Sequence, residues 1–391
     1  MGLLRHANPG SYVTARRVAY VFILLQPACR ESLQPGGEGQ PRPVDEVAGD
    51  PAVLPGAIQH DSWFEDVTAK TGVDSTYRNG REGEAYSLLE TVGGGVGMFD
   101  FDCDDDLDLY FTGGGRIAVD AGPVSGLPGS LYQNQANWRF RDVSGASLPT
   151  DVPDYSHGCS VSDFDADGWP DLLVTCFGTC RLLRNAGDGT FTDVTQSAAL
   201  DVPGWHTASA WADYDLDGLV DLYVAGYCEW SLDSKHDWCG DHGRGIQDVC
   251  PPQRYAPSTD RLFHNRGDGA FDDHTAVVMI RADGRGLGVV SCDVNRDGWP
   301  DFYVVNDGDA NHLYLGRADL PMTEAGFELG VAFDANGVAQ GGMGVDQSDF
   351  DRDGDFDLWV TNFELQDNAL YENSDSSLFS YATLNGGLGG Q

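Results

Sequence analysis

Short apolar stretches with a period of two recur along the chain, and each follows an aspartate-rich segment. The copies read DFDCDDDLDLYF from Asp100, DFDADGWPDLLV from Asp163, DYDLDGLVDLYV from Asp213, DVNRDGWPDFYV from Asp293 and DFDRDGDFDLWV from Asp349. Positions 10 and 12 are apolar around a variable position 11, which is the period of a strand packed on one face. Each copy therefore predicts a strand that begins as the aspartate loop ends.

The flanking segments predict three further strands per copy. Stretches rich in Gly, Ala and Ser, such as GGGVGMF and GLGVVSC, precede the loops, and small residues there permit close approach of neighbouring backbones. The loops are followed by LYQN, LLRN, LFHN, LYLG and LYEN, then in two copies by a turn and another short strand, NAGDGTFTDVT from Asn185 and NRGDGAFDDHT from Asn265. Four short antiparallel strands repeated every few tens of residues indicate the blades of a β-propeller.

The repeated loop has the composition of a metal site. Positions 1, 3, 5 and 9 carry acidic or amide side chains, which suits a hard cation such as Ca²⁺ better than Mg²⁺, since Mg²⁺ demands stricter geometry. Position 6 is glycine in all loops except the first, which has Asp105, because so tight a loop favours positive φ. The predicted ligands are Asp100, Asp102, Asp104, Asp108, Asp163, Asp165, Asp167, Asp171, Asp213, Asp215, Asp217, Asp221, Asp293, Asn295, Asp297, Asp301, Asp349, Asp351, Asp353 and Asp357. The fourth loop is predicted to bind most weakly, because Asn295 replaces one carboxylate.

An EF-hand begins with the same alternation of aspartates, but it supplies a bidentate Glu at position 12 and lies between helices. Position 12 is apolar in every copy of this chain: Phe111, Val174, Val224, Val304 and Val360. The loop is therefore predicted to join strand to strand.

With these motifs, the chain resembles the FG-GAP/VCBS repeats of integrin-α-like β-propellers, and more narrowly the extracellular proteins related to cartilage acidic protein. The resemblance runs from Trp63 to the C-terminus and rests on the five loops, the GDGTFTDVT turn and the insertion ending CPPQRYAPSTDRLFHN. It implies an all-β propeller with Ca²⁺ in the hairpin between the first two strands of each blade. In that family the carbonyl of position 7 completes the ligand set.

The chain departs from the family in its blade count. Family propellers commonly have seven blades, but five loops are present here, the sequence stops at LNGGLGGQ where another inner strand would begin, and no ASPIC/UnbV region follows. We expect about five four-stranded blades in an incomplete or imperfectly closed ring. The segment WFEDVTAKTG from Trp63 is predicted to be a fourth strand that joins the last blade.

The N-terminus has the layout of a secretion signal. Two arginines precede the apolar core VAYVFILL and the exit QPAC, and eight apolar residues are too few for a membrane span, which needs about 20. Alternatively, Cys29 is the lipidated first residue of a bacterial lipoprotein. The predicted division is a signal at 1–29, a disordered linker at 30–60 and the propeller at 61–391, with a cysteine-containing insertion at 228–257.

The net charge limits the classes of partner that the chain can favour, and the cysteine content indicates the redox compartment. The formal net charge of −39 excludes nucleic acid and anionic membrane surfaces as favoured partners. Eight cysteines besides Cys29 behind a signal indicate disulfides, and the preferred pairs are Cys176 with Cys180 and Cys239 with Cys250. A zinc cluster of Cys239, His242 and Cys250 is the competing interpretation.

The pattern favours an extracellular binding, adhesion or scaffold module whose partner is a protein, a carbohydrate or another copy of the chain. The alternative is a secreted glycan-active hydrolase or lyase, which would need an acidic or histidine side chain present in one repeat only and facing the central channel. The nearest candidates are His157, His206, Glu90 and the cluster of Asp237, Asp241 and His242, all predicted to be ordinary edge or surface residues. The GGGVG segment lacks the strand-to-helix context of a dinucleotide site.

The tryptophans divide into two groups. Trp169, Trp299 and Trp359 are predicted to pack between blades rather than to serve as sugar platforms. Trp230 and Trp238 lie in the insertion and are predicted to be exposed ligand contacts, since loops carry binding more often than cores do.

Overall fold

The computed structural model describes the chain from residue 65, and every element below belongs to the unit that begins at Thr68. The described ranges are 65–81, 86–117, 124–151, 153–231, 238–318, 320–374 and 378–383. The predicted signal, Cys29 and the linker lie outside them. None of the helices in these ranges is long and apolar enough to cross a membrane.

The described residues are almost entirely strand and turn. The strands are β1 (Arg78–Asn79), β2 (Val96–Phe99), β3 (Asp108–Phe111), β4 (Gly114–Ile117), β5 (Val124–Gly126), β6 (Ser130–Asn134), β7 (Phe140–Asp142), β8 (Tyr155–Ser162), β9 (Asp171–Thr179), β10 (Arg181–Asn185), β11 (Phe191–Asp193), β12 (Pro203–Ala212), β13 (Asp221–Gly226), β14 (Cys239–Asp241), β15 (Ile246–Asp248), β16 (Arg261–Asn265), β17 (Phe271–Asp273), β18 (Gly286–Cys292), β19 (Asp301–Asn306), β20 (His312–Leu315), β21 (Thr323–Glu324), β22 (Gly342–Ser348), β23 (Asp357–Asn362), β24 (Ala369–Ser374) and β25 (Leu378–Tyr381). Helical turns are α1 (Thr68–Thr71), α2 (Ser144–Ser147), α3 (Thr275–Val278) and two 3₁₀ turns, Leu88–Thr91 and Pro252–Arg254.

Five four-stranded antiparallel units follow one another along the chain. Their strand orders are β2-β3-β6-β7, β8-β9-β10-β11, β12-β13-β16-β17, β18-β19-β20-β21 and β22-β23-β24-β25. The second and third units are further joined by pairing of β9 with β12. Each aspartate loop connects the first and second strands of its unit, so the predicted sequence of elements and the all-β, propeller-type fold are confirmed.

Two units carry additions. β4 and β5 lie between the second and third strands of the first unit and form a small sheet with β1. The insertion of the third unit forms the β14-β15 hairpin between β13 and β16.

The units stack face to face, and this corrects one prediction about the second strands. Position 11 is buried as deeply as positions 10 and 12: Leu173, Tyr223 and Tyr303 are each 0 % exposed. These side chains pack against the following unit, as when Leu173 meets Val224 of β13 in one apolar cluster. The second strands of the middle three units are therefore buried on both faces, because each of these sheets lies between two others.

The fifth unit is different. Position 2 of the loop is a buried aromatic or apolar residue in the first four units, but Phe350 at that position in the fifth is 49 % exposed. No sixth sheet covers it among the described residues.

The segment predicted as a closing strand is described only in part. Trp63 lies outside the described residues, residues 65–67 are not in a strand, and Thr68–Thr71 form the helical turn α1. Similar turns, α2 and α3, follow the fourth strands of the first and third units. The described part thus corresponds to the turn after a fourth strand, and the strand itself stays a prediction.

One of the two predicted disulfides is present. Cys239 and Cys250 are bonded across the β14-β15 hairpin, so these thiols are not available for the alternative zinc cluster with His242. The predicted pair of Cys176 and Cys180 is wrong, since both thiols are free. Cys176 packs between the first and second units and Cys180 between the second and third, which places the two thiols in separate parts of the core.

Candidate metal centres

All five aspartate loops share one backbone conformation. Position 6 has positive φ in every loop, at 91° for Gly168 and 72° for Asp105. Position 4 is also left-handed in every loop although none has glycine there: Cys103, Ala166, Leu216, Arg296 and Arg352, with φ between 56° and 66°. Because single αL residues of this kind carry a steric cost, the turn must be imposed by the contacts of the loop.

Position 1 supplies those contacts. In the second loop Asp163 accepts hydrogen bonds from the backbone N–H groups of Asp167, at 3.0 Å, and Gly168, at 2.9 Å. The same pair of bonds recurs in the first, third and fourth loops. The first aspartate therefore shapes the loop, while each of its oxygens keeps a second lone pair for a cation.

Position 9 is the first residue of each second strand and is almost completely buried. Asp171 accepts from the backbone N–H of Phe164 at 3.2 Å and from that of Asn185 at 2.8 Å. Burial raises the pKa of this carboxyl to about 8, and the equivalent groups shift in the same direction. A carboxylate removed from water in this way is stabilised by a cation beside it.

The loops bring the predicted ligands together to different degrees. In the first three loops, oxygens of positions 1, 3 and 9 lie within 4.8 Å of one another, and in the fifth loop those of positions 1, 3 and 5 do so. The fourth loop has the amide Asn295 at position 3, so the equivalent group of three carboxylates is not available there. The ligand set remains a prediction.

Two unpartnered oxygens test whether a cation fits. Asp102 Oδ1 in the first loop and Asp349 Oδ1 in the fifth are buried without a hydrogen-bond partner among the described residues. Both belong to predicted ligands, and oxygen donors on a flexible loop suit Ca²⁺. In that role the cation would neutralise clustered carboxylates and tie the two strands of the hairpin together.

A side chain from the third strand faces three of the loops. Arg184 pairs with Asp165 at 2.5 Å and with Asp167 at 2.8 Å, and His264 lies 3.1 Å from Asp215. In the first unit Gln133 donates to the carboxylate of position 3. The residue before the terminal asparagine of the third strand therefore contacts the carboxylates of the loop in the first three units.

That terminal asparagine is a contact that the sequence reasoning missed. Asn185 Nδ2 donates to Phe101 O of the preceding loop at 2.7 Å, and Asn265 Nδ2 donates to Phe164 O at 2.8 Å. Asn373 makes the same link to Val294 O at 2.8 Å. The recurrence of N at the end of LLRN, LFHN and LYEN was the available signal. These asparagines connect each loop to the unit before it.

Three residues considered for catalysis, His157, His206 and Glu90, are buried rather than at an edge or on the surface. His157 is buried, and its Nε2 accepts from Trp205 Nε1 at 3.0 Å, while burial lowers its pKa to about 3. Burial likewise lowers the pKa of His206 to about 4. Glu90 is not a surface acid: it is buried and caps a 3₁₀ turn together with Ser87.

The remaining acidic candidates lie in the insertion. Asp241 and His242 are exposed as predicted, and Asp237 lies outside the described residues.

Most of the tryptophans contribute to packing. Trp169 lies against Gly187 in the turn of its own unit, and Trp299 lies against Gly316 in the same way. Trp230 is 5 % exposed within an apolar cluster, so its prediction as an exposed ligand contact is wrong. Trp238 is partly exposed and stacks on His242, with ring centroids 3.8 Å apart.

Comparisons with known proteins agree with the repeat pattern. The FG-GAP-like repeat family matches residues 163–224, 245–304 and 293–360. No curated protein matches the chain.

Two solved structures are similar over part of their length. One is an Agrocybe aegerita lectin that recognises non-reducing terminal N-acetylglucosamine, with 15 % identity, 74 % of this chain and 65 % of that chain covered, and a TM-score of 0.40. The other is the V. cholerae biofilm matrix protein Bap1, with 13 % identity, 74 % and 38 % covered, and a TM-score of 0.39. This chain thus spans less than two thirds of either protein.

The matched segments include the second to fifth aspartate loops and at least part of the strand that follows each of them. We conclude that the chain contains repeats of the FG-GAP-like family.

Proposed function

We propose that the protein is an extracellular calcium-binding repeat protein that acts as a binding, adhesion or scaffold module. The observation that carries the proposal is the backbone turn that all five loops repeat, together with the convergence of carboxylates in four of them. FG-GAP repeats fit such a module. The disulfide in the insertion supports an oxidising compartment, consistent with the predicted secretion signal.

Calcium in this proposal holds strands together rather than taking part in a reaction. Each site would be formed by side chains at positions 1, 3, 5 and 9 and would fix the first two strands of a unit. The partner is proposed to be an extracellular protein or carbohydrate, bound by surfaces that the metal keeps in place.

Calorimetric titration of the chelator-treated protein with Ca²⁺ and with Mg²⁺ tests the metal. We expect up to five Ca²⁺ per chain and weaker binding of Mg²⁺. Asp165→Ala should remove one equivalent, whereas Asp201→Ala, a change at an exposed aspartate outside the loops, should remove none. An absence of Ca²⁺ binding, or tighter binding of Mg²⁺, would refute the proposal.

A further inference from the structure

A cavity of about 720 Å³ lies where the first strands of the five units begin. The contributing residues, one unit after another, are Gly95, Gly158, Thr207, Leu287 and Met343. Consecutive first strands contact one another, so these residues surround a common axis. The volume falls within the range of about 300–1,000 Å³ typical of small-ligand sites.

The same backbone irregularity directs side chains into this cavity. The pairing of first and second strands shifts by one residue in the third, fourth and fifth units, and the residues skipped are Thr207, Leu287 and Met343. In the second unit the shift falls at His157 and Gly158, which also line the cavity. A β-bulge re-aims a side chain out of the alternation of its strand. In four units, the hydrogen-bond ladder between the first and second strands is therefore interrupted at the level of the cavity.

The cavity has an acidic rim and apolar walls. Among the described residues that line it, Asp248 and Asp307 are acidic and none is Lys or Arg. Asp307 Oδ2 accepts a hydrogen bond from Tyr227 at 2.7 Å, and burial raises the pKa of this carboxyl. Phe363, which is 59 % exposed, adds an aromatic surface at the same cavity.

The insertion of the third unit forms one side of the mouth. Its return segment, Val249 to Gln253, lines the cavity next to the disulfide. Arg285 donates to Pro252 O at 3.1 Å and pairs with Asp309 at 2.6 Å, which holds this segment against the fourth unit. The mouth is therefore formed before any ligand arrives.

We infer that this axial cavity binds an organic cation, whose ammonium or guanidinium group pairs with Asp307 while its apolar part packs against Leu287 and Met343. The net charge of −39 attracts cations to the protein, and the Phe363 ring provides a further favourable contact for one. Anionic ligands are disfavoured, since they would meet the two carboxylates. The inference rests on the proposed role as a binding module and names the class of ligand for one of its surfaces.

The cavity and the metal loops can be tested separately. Gly158 lines the cavity and Asp163 begins the second loop, five residues further along one strand. At a rise of about 3.3 Å per residue, they are roughly 16 Å apart. A substitution at the cavity should therefore leave the calcium titration unchanged.

Three probes of one shape but different charge test the inference on the calcium-loaded protein: phenethylammonium, 2-phenylethanol and phenylacetate. Binding is read from the ¹³C-methyl NMR signal of Met343, with Met279, which is 66 % exposed immediately after α3, as an internal reference. We expect phenethylammonium to shift the Met343 signal most strongly and phenylacetate least. Asp307→Asn should weaken the binding of phenethylammonium about tenfold and leave the binding of 2-phenylethanol unchanged, because only a charge-assisted contact is lost.

Asp201→Asn is the matched control, and Leu287→Trp should weaken binding of all three probes, because the larger side chain occupies space against which their apolar part packs. Both variants should keep the wild-type calcium stoichiometry, which shows that they are folded. An unmoved Met343 signal, or phenylacetate binding as well as phenethylammonium, would overturn the cavity inference while calcium binding stays intact. A failed calcium titration would instead overturn the proposed function.

Discussion

At the scale of single residues, the sequence predicts the chemistry of the loops better than their conformation. The acidic positions and Gly168 are visible in the repeat, but left-handed φ at position 4 is not, because its occupants are as varied as Cys103, Leu216 and Arg352. The conformation there comes from hydrogen bonds to the first aspartate rather than from the residue's own preference. When neighbouring contacts impose the backbone strain, the residue type at the strained position does not reveal it.

The fourth loop should be the first to lose its metal. Asn295 provides one charge fewer than its counterparts at position 3 of the other loops. Asn295→Asp should tighten binding at this loop roughly tenfold, since Ca²⁺ affinity follows ligand charge. Binding of Tb³⁺ at this loop can be followed by luminescence sensitised by Trp299 at position 7. Trp169 at the same position of the second loop is replaced by Leu, so that the second loop does not contribute to the signal. Unchanged affinity, or retention of metal by the fourth loop after the others have lost theirs to a chelator, would contradict the charge argument.

Asp260 should give the protein a pH-dependent stability that is independent of the loops. The side chain is buried, accepts from Tyr223 Oη and from the Gly226 N–H, both at 2.7 Å, and burial raises its pKa to about 7. Folding therefore favours the protonated acid. Its contribution is complete below about pH 4 and is lost as the pH rises to 7, by up to about 4 kcal/mol.

The amide introduced by Asp260→Asn cannot ionise, so this substitution should remove the pH dependence that Asp260 gives to the free energy of unfolding. Urea unfolding of both proteins at saturating Ca²⁺, from pH 5 to pH 8, cancels the contribution of the loops. The free energy of unfolding of the wild type should fall relative to that of the variant as the pH rises. A relative gain by the wild type would mean that the buried carboxylate is stabilised in its charged form.

At the scale of elements, the order of strands and the position of the insertion follow from the repeat, but the contacts between units do not. The alternation at positions 10 to 12 predicts one buried face, whereas Tyr223 and Tyr303 at position 11 are fully buried by the next unit. The two cysteines nearest in sequence, Cys176 and Cys180, enter different interfaces for the same reason. Period-two reasoning describes one strand and contains no information about a second sheet stacked on it.

The asparagine at the end of the third strand should couple neighbouring units. Asn185 Nδ2 donates to Phe101 O of the preceding unit and to Pro170 O, at 2.7 and 3.2 Å, so Asn185→Ala leaves both carbonyls without this donor. We expect a loss of about 1–3 kcal/mol in the free energy of unfolding, and weaker Ca²⁺ binding at the first loop, to which Phe101 belongs.

Asn134→Ala is the internal control for this prediction. The Nδ2 group of Asn134 donates only to Leu107 O of its own unit, at 3.0 Å, among the described residues. Asn134→Ala should lower the free energy of unfolding by less than Asn185→Ala does, and it should leave the neighbouring unit unaffected. Equal losses in denaturant unfolding for the two variants would show that the link between units contributes nothing.

At the scale of the whole molecule, five stacked units without a described sixth leave Phe350 half exposed, and the predicted number of blades agrees with this arrangement. Closure of a ring could not be predicted from the repeat, because each unit contacts only its neighbours and the count of loops does not fix the angle between them. What the repeat does determine is a series of similar candidate metal sites, one in each unit of the stack. The stability of the stack should therefore depend on all of them together.

Removal of calcium should lower the stability of the whole protein. Extracellular modules bind with Kd of about 10⁻⁴ to 10⁻³ M, so at roughly 1 mM free Ca²⁺ each site contributes on the order of 0.4 to 1.4 kcal/mol, and five sites about 2 to 7. A typical domain has only about 5 to 15 kcal/mol in total. The effect should exceed simple mass action, since the metal-free chain also keeps the mutual repulsion of a net charge of −39.

Differential scanning calorimetry should show a melting temperature lowered by roughly 5 °C or more on chelation, because a domain of this size shifts by about 2–4 °C per kcal/mol. Asp165→Ala should reproduce part of the loss with calcium present, and Asp201→Ala should not. Salt distinguishes the two causes of the lowered melting temperature. The mutual repulsion of the net charge is screened at high ionic strength, whereas the repulsion within a vacant buried site is screened much less. A melting temperature indifferent to chelator at both salt concentrations would mean that the buried aspartates at position 9 are satisfied by their backbone donors alone, and the calcium assignment would have to be abandoned.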